Sequence, residues 1–267
     1  PIVAVLLLGA GEGETGLLQT ALALPFVLFA IPAGLLADRT SRRWLMAGAE
    51  GLRAVALLAI LILIALSWIT LPLLAFLGFV AVCGTVVYSV AAPALVPSLV
   101  GPAALPAANA RLELARTVAF AAGPALGGLL VGWIGASPAF GVAAALSVLA
   151  VVLLSGLREP VRILRPRRHP WQEIREGAGF VFHHPLLRPV FVTQFIFNTA
   201  WFVILAVFVP YAVHRLGLSA SGVGTTLAMY GVGMIVGALS ATRVMRVLPF
   251  GVVVGLGPVT GFVASAI

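Results

Sequence analysis

The chain is predicted to be an all-α polytopic membrane protein, and three observations predict it. Of its residues 61% are hydrophobic and only 9% charged, with a mean hydropathy of +1.15, whereas a soluble domain carries about 25% charged residues. The apolar residues fall into runs of about 20, long enough as helices to cross roughly 30 Å of hydrocarbon. The arginines gather in alternate breaks between those runs, as expected of loops on the cytoplasmic side. With no water in the bilayer core, such runs must satisfy their own backbone groups, so they are read as helices.

Composition also excludes other classes. All sixteen basic residues are arginine and the net charge is +8, but the charge follows loop sidedness rather than one folded face, so no nucleic-acid partner is expected. The heavy use of Arg, Ala and Gly hints at a GC-rich bacterial genome, and a multi-pass protein of a bacterial inner membrane is expected. Cys83, the single cysteine, lies inside an apolar run, which excludes an intrachain disulfide and a cysteine-cluster metal site. No metal site and no cofactor is expected.

Taken in order, Pro1 to Leu8 is apolar but too short to span and has no charged leader, so it reads as the tail of a first span. The other end stops inside an apolar run, and the chain is read as a fragment of a longer protein. Gly9 to Gly16 is read as an external loop carrying Glu12 and Glu14. Its Gly11, Gly13 and Gly16 mimic a dinucleotide fingerprint by spacing. Two carboxylates would face the pyrophosphate, and the following helix is apolar on every side, so that reading is rejected. Span 2 covers Thr15 to Leu36, interrupted by Pro25 and Pro32.

A charged hinge follows, from Gly34 to Arg43, holding Asp38, Arg39, Arg42 and Arg43. Span 3 runs to about Leu66, and Ser67 to Thr70 makes an external turn with Trp68 at interfacial depth. Span 4 covers Pro72 to Ala92. Pro93, Pro97, Gly101, Pro102 and Pro106 are expected to break the pattern into an internal loop. Span 5 runs from Ala107 to Ile134 and span 6 from Ala139 to Leu157, with a turn at Gly135 to Pro138 between them.

Arg158 to Arg188 holds seven arginines and reads as a cytoplasmic linker, partly helical and amphipathic around Trp171 to Phe182. It divides the chain into an N-terminal bundle (1–157), the linker (158–188) and the start of a C-terminal bundle (189–267). Span 7 covers Pro189 to Val213, span 8 covers Ala220 to Ala241, and span 9 begins near Phe250. Twelve arginines fall in the three inside breaks and only Arg215 in an outside one. Even numbers of spans separate the inside clusters, and a wrong span count would have broken that parity.

The hinge resembles the signature loop between helices 2 and 3 of the major facilitator superfamily: Gly34, then Asp38-Arg39, then Arg42-Arg43, with Ser41 where that family usually has Gly. Gly237 to Arg246 repeats the hinge weakly, with Ala241 opposite Asp38. The offset of about 200 residues is what two parallel six-helix halves would give. Gly123-Pro124-Ala125-Leu126-Gly127-Gly128 resembles the exporter signature of span 5 in the same superfamily, with Ala119 where a Gly often opens it. Leu105 to Ala110 and Gly177 to Pro189 are similar to the drug and siderophore exporter branch that includes the enterobactin exporter, macrolide efflux proteins and the lysophospholipid transporter.

The resemblance implies a major facilitator-type bundle of twelve helices, here from the end of span 1 to span 9. It implies secondary active, proton-coupled export of a small amphipathic molecule by a monomer, with Gly34, Asp38, Arg39, Arg42 and Arg43 as the inner gate. The alternative reading of the hinge is topological anchoring alone. Gly123, Gly127 and Gly128 are read as a surface where another helix approaches, and Pro124 as a bend.

Charges inside spans are costly and therefore candidate sites. Glu50 and Arg53 share a face of span 3, and Glu113 and Arg116 share one of span 5. Each pair is read as a structural or gating ion pair, with a proton- or substrate-handling carboxylate as the alternative. Gln19, Gln194 and Asn198 are candidate cavity residues, or else helix–helix hydrogen bonders. A lysophospholipid translocator of the same fold is the alternative function. An integral-membrane enzyme is disfavoured because no nucleophile is placed beside a base, and a channel because no polar filter repeats.

Overall fold

The computed structural model describes residues 2–160 and 170–249, with 251–253, 255 and 259 beyond them. The described residues form helices and short connections with no strand, and seven of the helices are long and apolar enough to cross a membrane. Arg162, Arg165, Arg167 and Arg168 of the linker lie outside the described residues, as does most of the expected span 9.

Helix α1 (Ile2–Leu8) ends at Gly9, whose φ of +64° lets the amides of Gly9 and Ala10 turn back onto the carbonyls of Val5 and Ala4. Helix α2 (Glu12–Arg39) starts earlier than expected and leaves a shorter loop, with Gly13 and Gly16 inside the helix. The reason is local: the Glu14 carboxylate accepts the Gly11 N–H at 3.0 Å and so caps the new helix. Helix α3 (Arg42–Ala65) opens with Ser41 as its cap, the Trp44 N–H donating to the Ser41 hydroxyl at 3.4 Å.

Helix α4 (Leu71–Leu99) corrects a second expectation, because it runs straight through Pro93 and Pro97. Each proline removes one amide donor, and a packed membrane helix tolerates that loss where a soluble one breaks. The chain turns only at Val100–Gly101, through a short 3-10 turn (Pro102–Ala104), into α5 (Leu105–Ile134). Gly135, at φ +87°, joins α5 directly to α6 (Ala136–Ser155). The amphipathic part of the linker is α7 (Pro170–His183), followed by α8 (Leu187–His214) and α9 (Ala220–Val247). Helix α9 also overruns its expected end. The repeat counterpart of Ser41 is Val244, which has no oxygen with which to cap a new helix.

Because successive spans reverse direction, Asp38–Arg43, Leu99–Leu105, Glu159, Arg188 and Arg246 share one end of the bundle, called the hinge end. Gly9, Ser67–Trp68, Gly135 and Gly217 share the other, the turn end. Helix α3 packs on α4 and α6, α2 on α4, α5 on α9, and α8 on both α1 and α2. The cores are small-residue rich. Ala37, Met46, Ala47, Ala91, Ala92, Leu95 and Leu154 pack together at the hinge end. Val5, Val209, Ala212 and Val223 close the turn end between α1, α8 and α9. Leucines, valines and aromatics such as Leu17, Val27 and Trp133 cover the outside. Hydrocarbon is as apolar as those side chains, so helix association rests on close van der Waals packing.

Candidate functional site

The hinge is pinned from within its own group of helices. Asp38, in the last turn of α2, and Arg42, which opens α3, pair at 3.4 Å across the break between the two helices, with Asp38 largely exposed and Arg42 largely buried. The Arg42 guanidinium also donates to the carbonyls of Ala37 and Ala94, tying α2 and α3 to α4. Arg43 donates to the Leu157 carbonyl at the end of α6 and lies over the Trp44 ring at 4.4 Å. Among the described residues Gly34 has only Val90 of α4 near it, at 3.9 Å from an added Cβ, and that distance is ordinary contact.

The residue that sequence reasoning missed is Glu159. Its carboxylate accepts the Ser41 hydroxyl at 2.6 Å and the backbone N–H groups of Arg43 and Arg42 at 3.1 and 3.2 Å. It therefore sits on the amide donors that open α3, where a negative charge is favoured. Partial desolvation pushes this carboxyl up. The Ser41 hydroxyl, the two amides and the Arg42 charge outweigh that and hold it below the ordinary glutamate value. Ser41 is extended, at φ −64°, so the position needs no glycine, and its hydroxyl does work a glycine could not. The signal in the sequence was a carboxylate directly after span 6, at the start of an arginine-rich linker.

A prediction follows from the sign of that shift. The contribution of Glu159 is complete above the ordinary glutamate value of about 4.3 and is lost as pH falls from there through the lowered folded value. Glu159→Gln is expected to lower stability by about 1 kcal/mol at neutral pH, the low end for charge-assisted bonds at a half-exposed site. Thermal unfolding of both proteins between pH 7 and 3 checks this. The gap should close in acid, and a gap that persists there would show that the tether is not ionic.

Glu50 and Arg53 form a buried pair. Their side chains are 4% and 33% exposed, with Nη2 and Oε2 2.8 Å apart, and Arg53 Nε donates to the Ser147 hydroxyl on α6 at 3.0 Å. Gly84 of α4 makes room for this crossing, since an added Cβ would lie 2.4 Å from the Ala49 carbonyl oxygen and 3.6 Å from Arg53 Cβ. The pair thus lies among α3, α4 and α6, away from α8 and α9. Glu113 and Arg116 differ sharply. They are 69% and 59% exposed and 3.6 Å apart, on the hinge-end half of α5.

The exporter-like stretch splits into two kinds of position. An added Cβ at Gly128 would lie 2.6 Å from the Ala220 carbonyl oxygen and 2.9 Å from Gly224 Cα, so α5 and α9 touch backbone to backbone there. Pro124 belongs to the same contact, because its carbonyl oxygen lies 2.5 Å from a Cβ built on Gly224. Gly123 and Gly127 correct the expectation, since a Cβ on either would meet nothing within 4 Å among the described residues. They sit on other faces of the same helix.

Gln19 is buried, and its amide nitrogen has no partner among the described residues, so it does not line an open surface. Gln194 and Asn198 share an exposed face of α8, and the Asn198 amide donates back to the Gln194 carbonyl rather than to another helix. At mid-height Tyr230 of α9 stacks on Trp201 of α8 at 3.9 Å and meets Phe120 of α5 edge-on at 6.0 Å. Phe120 and Tyr230 sit about two turns from the Gly128–Gly224 contact, and these aromatics were not singled out by sequence. Among the described residues no three His, Cys, Asp or Glu side chains converge.

Seven apolar helices among the described residues, a basic hinge tied to its own bundle and a backbone-tight seam between α5 and α9 make up a polytopic helical membrane protein with the arrangement expected of the major facilitator superfamily. Residues 6–265 match the family model described as transmembrane secretion effector within that superfamily, and the chain belongs to this family. It is similar to an uncharacterized MFS-type transporter of Sinorhizobium fredii, with 32% identity over 150 residues, 55% of this chain and 37% of that relative. The chain thus matches well under half the length of that relative.

Proposed function

We propose that the protein is a proton-coupled exporter of small amphipathic compounds, of the drug or siderophore class, working by alternating access in a bacterial inner membrane. Residues 1–157 and 189–267 belong in this reading to two halves joined by the linker 158–188, and the transporter acts as a monomer. The observation that carries it is the asymmetry of the seam between α5 and α9. The turn end is sealed by Gly128 on Gly224 and by Val5, Val209, Ala212 and Val223, while the hinge-end half of α5 is largely exposed. That is the form expected of one of two states in a rocking cycle.

Within this reading the two carboxylates take different parts. Glu113 sits at the open end, one to two turns from Phe120 on the same helix, and is the proton-handling group. Glu50 is held against Arg53 inside its own group of helices and is structural. Asp38, Arg39, Arg42 and Arg43 form the inner gate, with Glu159 fixing its position in the state described here.

The test uses the full-length protein in inside-out vesicles under an imposed proton gradient, with macrolides, cationic dyes, siderophores and lysolipids added in turn. One cargo class should dissipate the gradient, and Glu113→Gln and Asp38→Asn should each abolish the response. Dissipation that survives Glu113→Gln would remove that residue from the coupling path. Lysolipid crossing without any gradient would replace the exporter by a lipid translocator.

A further inference from the structure

The junction of α7 and α8 holds a cavity of about 480 Å³ lined by Phe182, His183, His184, Arg188 and Val192, with Pro185 and Pro189 as its rigid corner. Three of these side chains carry N–H donors and none is acidic. Glu176 of α7 lies about two turns back along that helix. Among the described residues the junction therefore offers a basic lining with no carboxylate in it, just where the chain enters a span.

The hydrogen bonds fix what the two imidazoles present. His183 Nδ1 lies 2.7 Å from the Gly179 carbonyl oxygen, which can only accept, so Nδ1 carries the hydrogen. His184 Nδ1 accepts the Leu186 N–H at 3.2 Å, so its remaining nitrogen, Nε2, is the donor. Arg188 stands one turn beyond His184, its amide bonded to the His184 carbonyl at 3.1 Å. Its guanidinium makes no ion pair and no hydrogen bond among the described residues. Two planar donors one turn apart suit the oxygens of a phosphate.

The surroundings specify which phosphate. Arg188 belongs to the first turn of α8, a membrane-length helix, so the cavity lies at headgroup depth. An exposed aromatic ladder leads from it along α8: Phe182 meets Phe191 edge-on at 5.3 Å, and Phe191 stacks on Phe195 at 6.5 Å. A soluble anion would have no use for that ladder. An acyl chain attached to the phosphate would lie along it.

We propose that this cavity binds the headgroup of an anionic phospholipid, with His184 and Arg188 on the phosphate and Phe182, Phe191 and Phe195 along one acyl chain. The site belongs to the linker junction, and its assignment does not depend on which cargo the transporter carries. Occupied, it would fix α7 against the membrane surface beside the start of α8.

The experiment is lipid retention on the purified full-length protein by native mass spectrometry. The probes are phosphatidylglycerol and phosphatidylcholine with the same acyl chains, and inorganic phosphate as competitor. Phosphatidylglycerol should be retained in preference. Arg188→Gln should lower its retention about fivefold, the share expected of one arginine at an anionic surface. Arg188→Lys should largely keep retention, and Arg215→Gln, at the opposite end, should leave it unchanged. Equal retention of the two lipids by the wild type, or full retention by Arg188→Gln, would overturn the proposal. Displacement of the lipid by millimolar inorganic phosphate would overturn it too, by making the site one for a soluble anion.

Discussion

Gly224→Ala is expected to open the turn end of the seam between α5 and α9. The new methyl would lie 2.5 Å from the Pro124 carbonyl oxygen and 2.9 Å from Gly128 Cα, both backbone atoms that no rotamer change can move aside. The helices must separate or shift, at about 1–3 kcal/mol for overpacking of this size. If the turn end opens and closes during the cycle, the whole of that penalty falls on the closed form. The open population should then rise about 5- to 150-fold. Labelling of a cysteine placed at Leu218, beside the closing cluster, should accelerate correspondingly, and export should fall.

The same stretch supplies its own controls. Gly123→Ala and Gly127→Ala meet nothing within 4 Å among the described residues. Each should leave labelling unchanged and, by removing a helical glycine, stabilise by up to about 1 kcal/mol. Equal effects at Gly127 and Gly224 would mean that the sequence stretch, not the backbone contact, is what matters.

Glu50→Leu is the second large effect. It would leave Arg53 with the Ser147 hydroxyl as its remaining partner, two-thirds buried inside a bundle of α3, α4 and α6. Breaking a buried pair from one side costs about 3–5 kcal/mol, because the surviving charge keeps its desolvation penalty without its partner. Replacing both residues, Glu50→Leu with Arg53→Leu, should recover most of that loss. Thermal unfolding in detergent of the two single variants and the double variant measures the coupling. A single-variant loss below about 1 kcal/mol would show that water reaches the pair and that it is not structural. Transport by the double variant separates the roles further, since gradient-driven export that survives it excludes Glu50 as the proton carrier.

Much of the fold was legible because its signals are local. A run of apolar residues declares a span by its own length, and the parity of the arginine clusters ordered those spans without knowledge of any contact. The Glu50–Arg53 pair was legible for the same reason, since helical spacing alone puts both residues on one face. Pro93 and Pro97 misled. Their breaking power is a statement about isolated helices, and here a long apolar helix held by neighbours absorbs two missing donors.

What the sequence by itself determined was which segments cross the membrane, which end carries the basic hinge, and which side chains are too polar to lie in lipid unpaired. Only the tertiary structure decided who meets whom. Glu159 reaches Ser41 across 118 residues, Arg53 finds Ser147 across 94, and Gly128 rather than Gly127 faces Gly224. These pairings depend on the rotation of each helix about its axis and on the choice of its neighbours. In a uniformly apolar helix no face is marked as buried, so shape and backbone distance set that rotation, and neither is written in hydropathy.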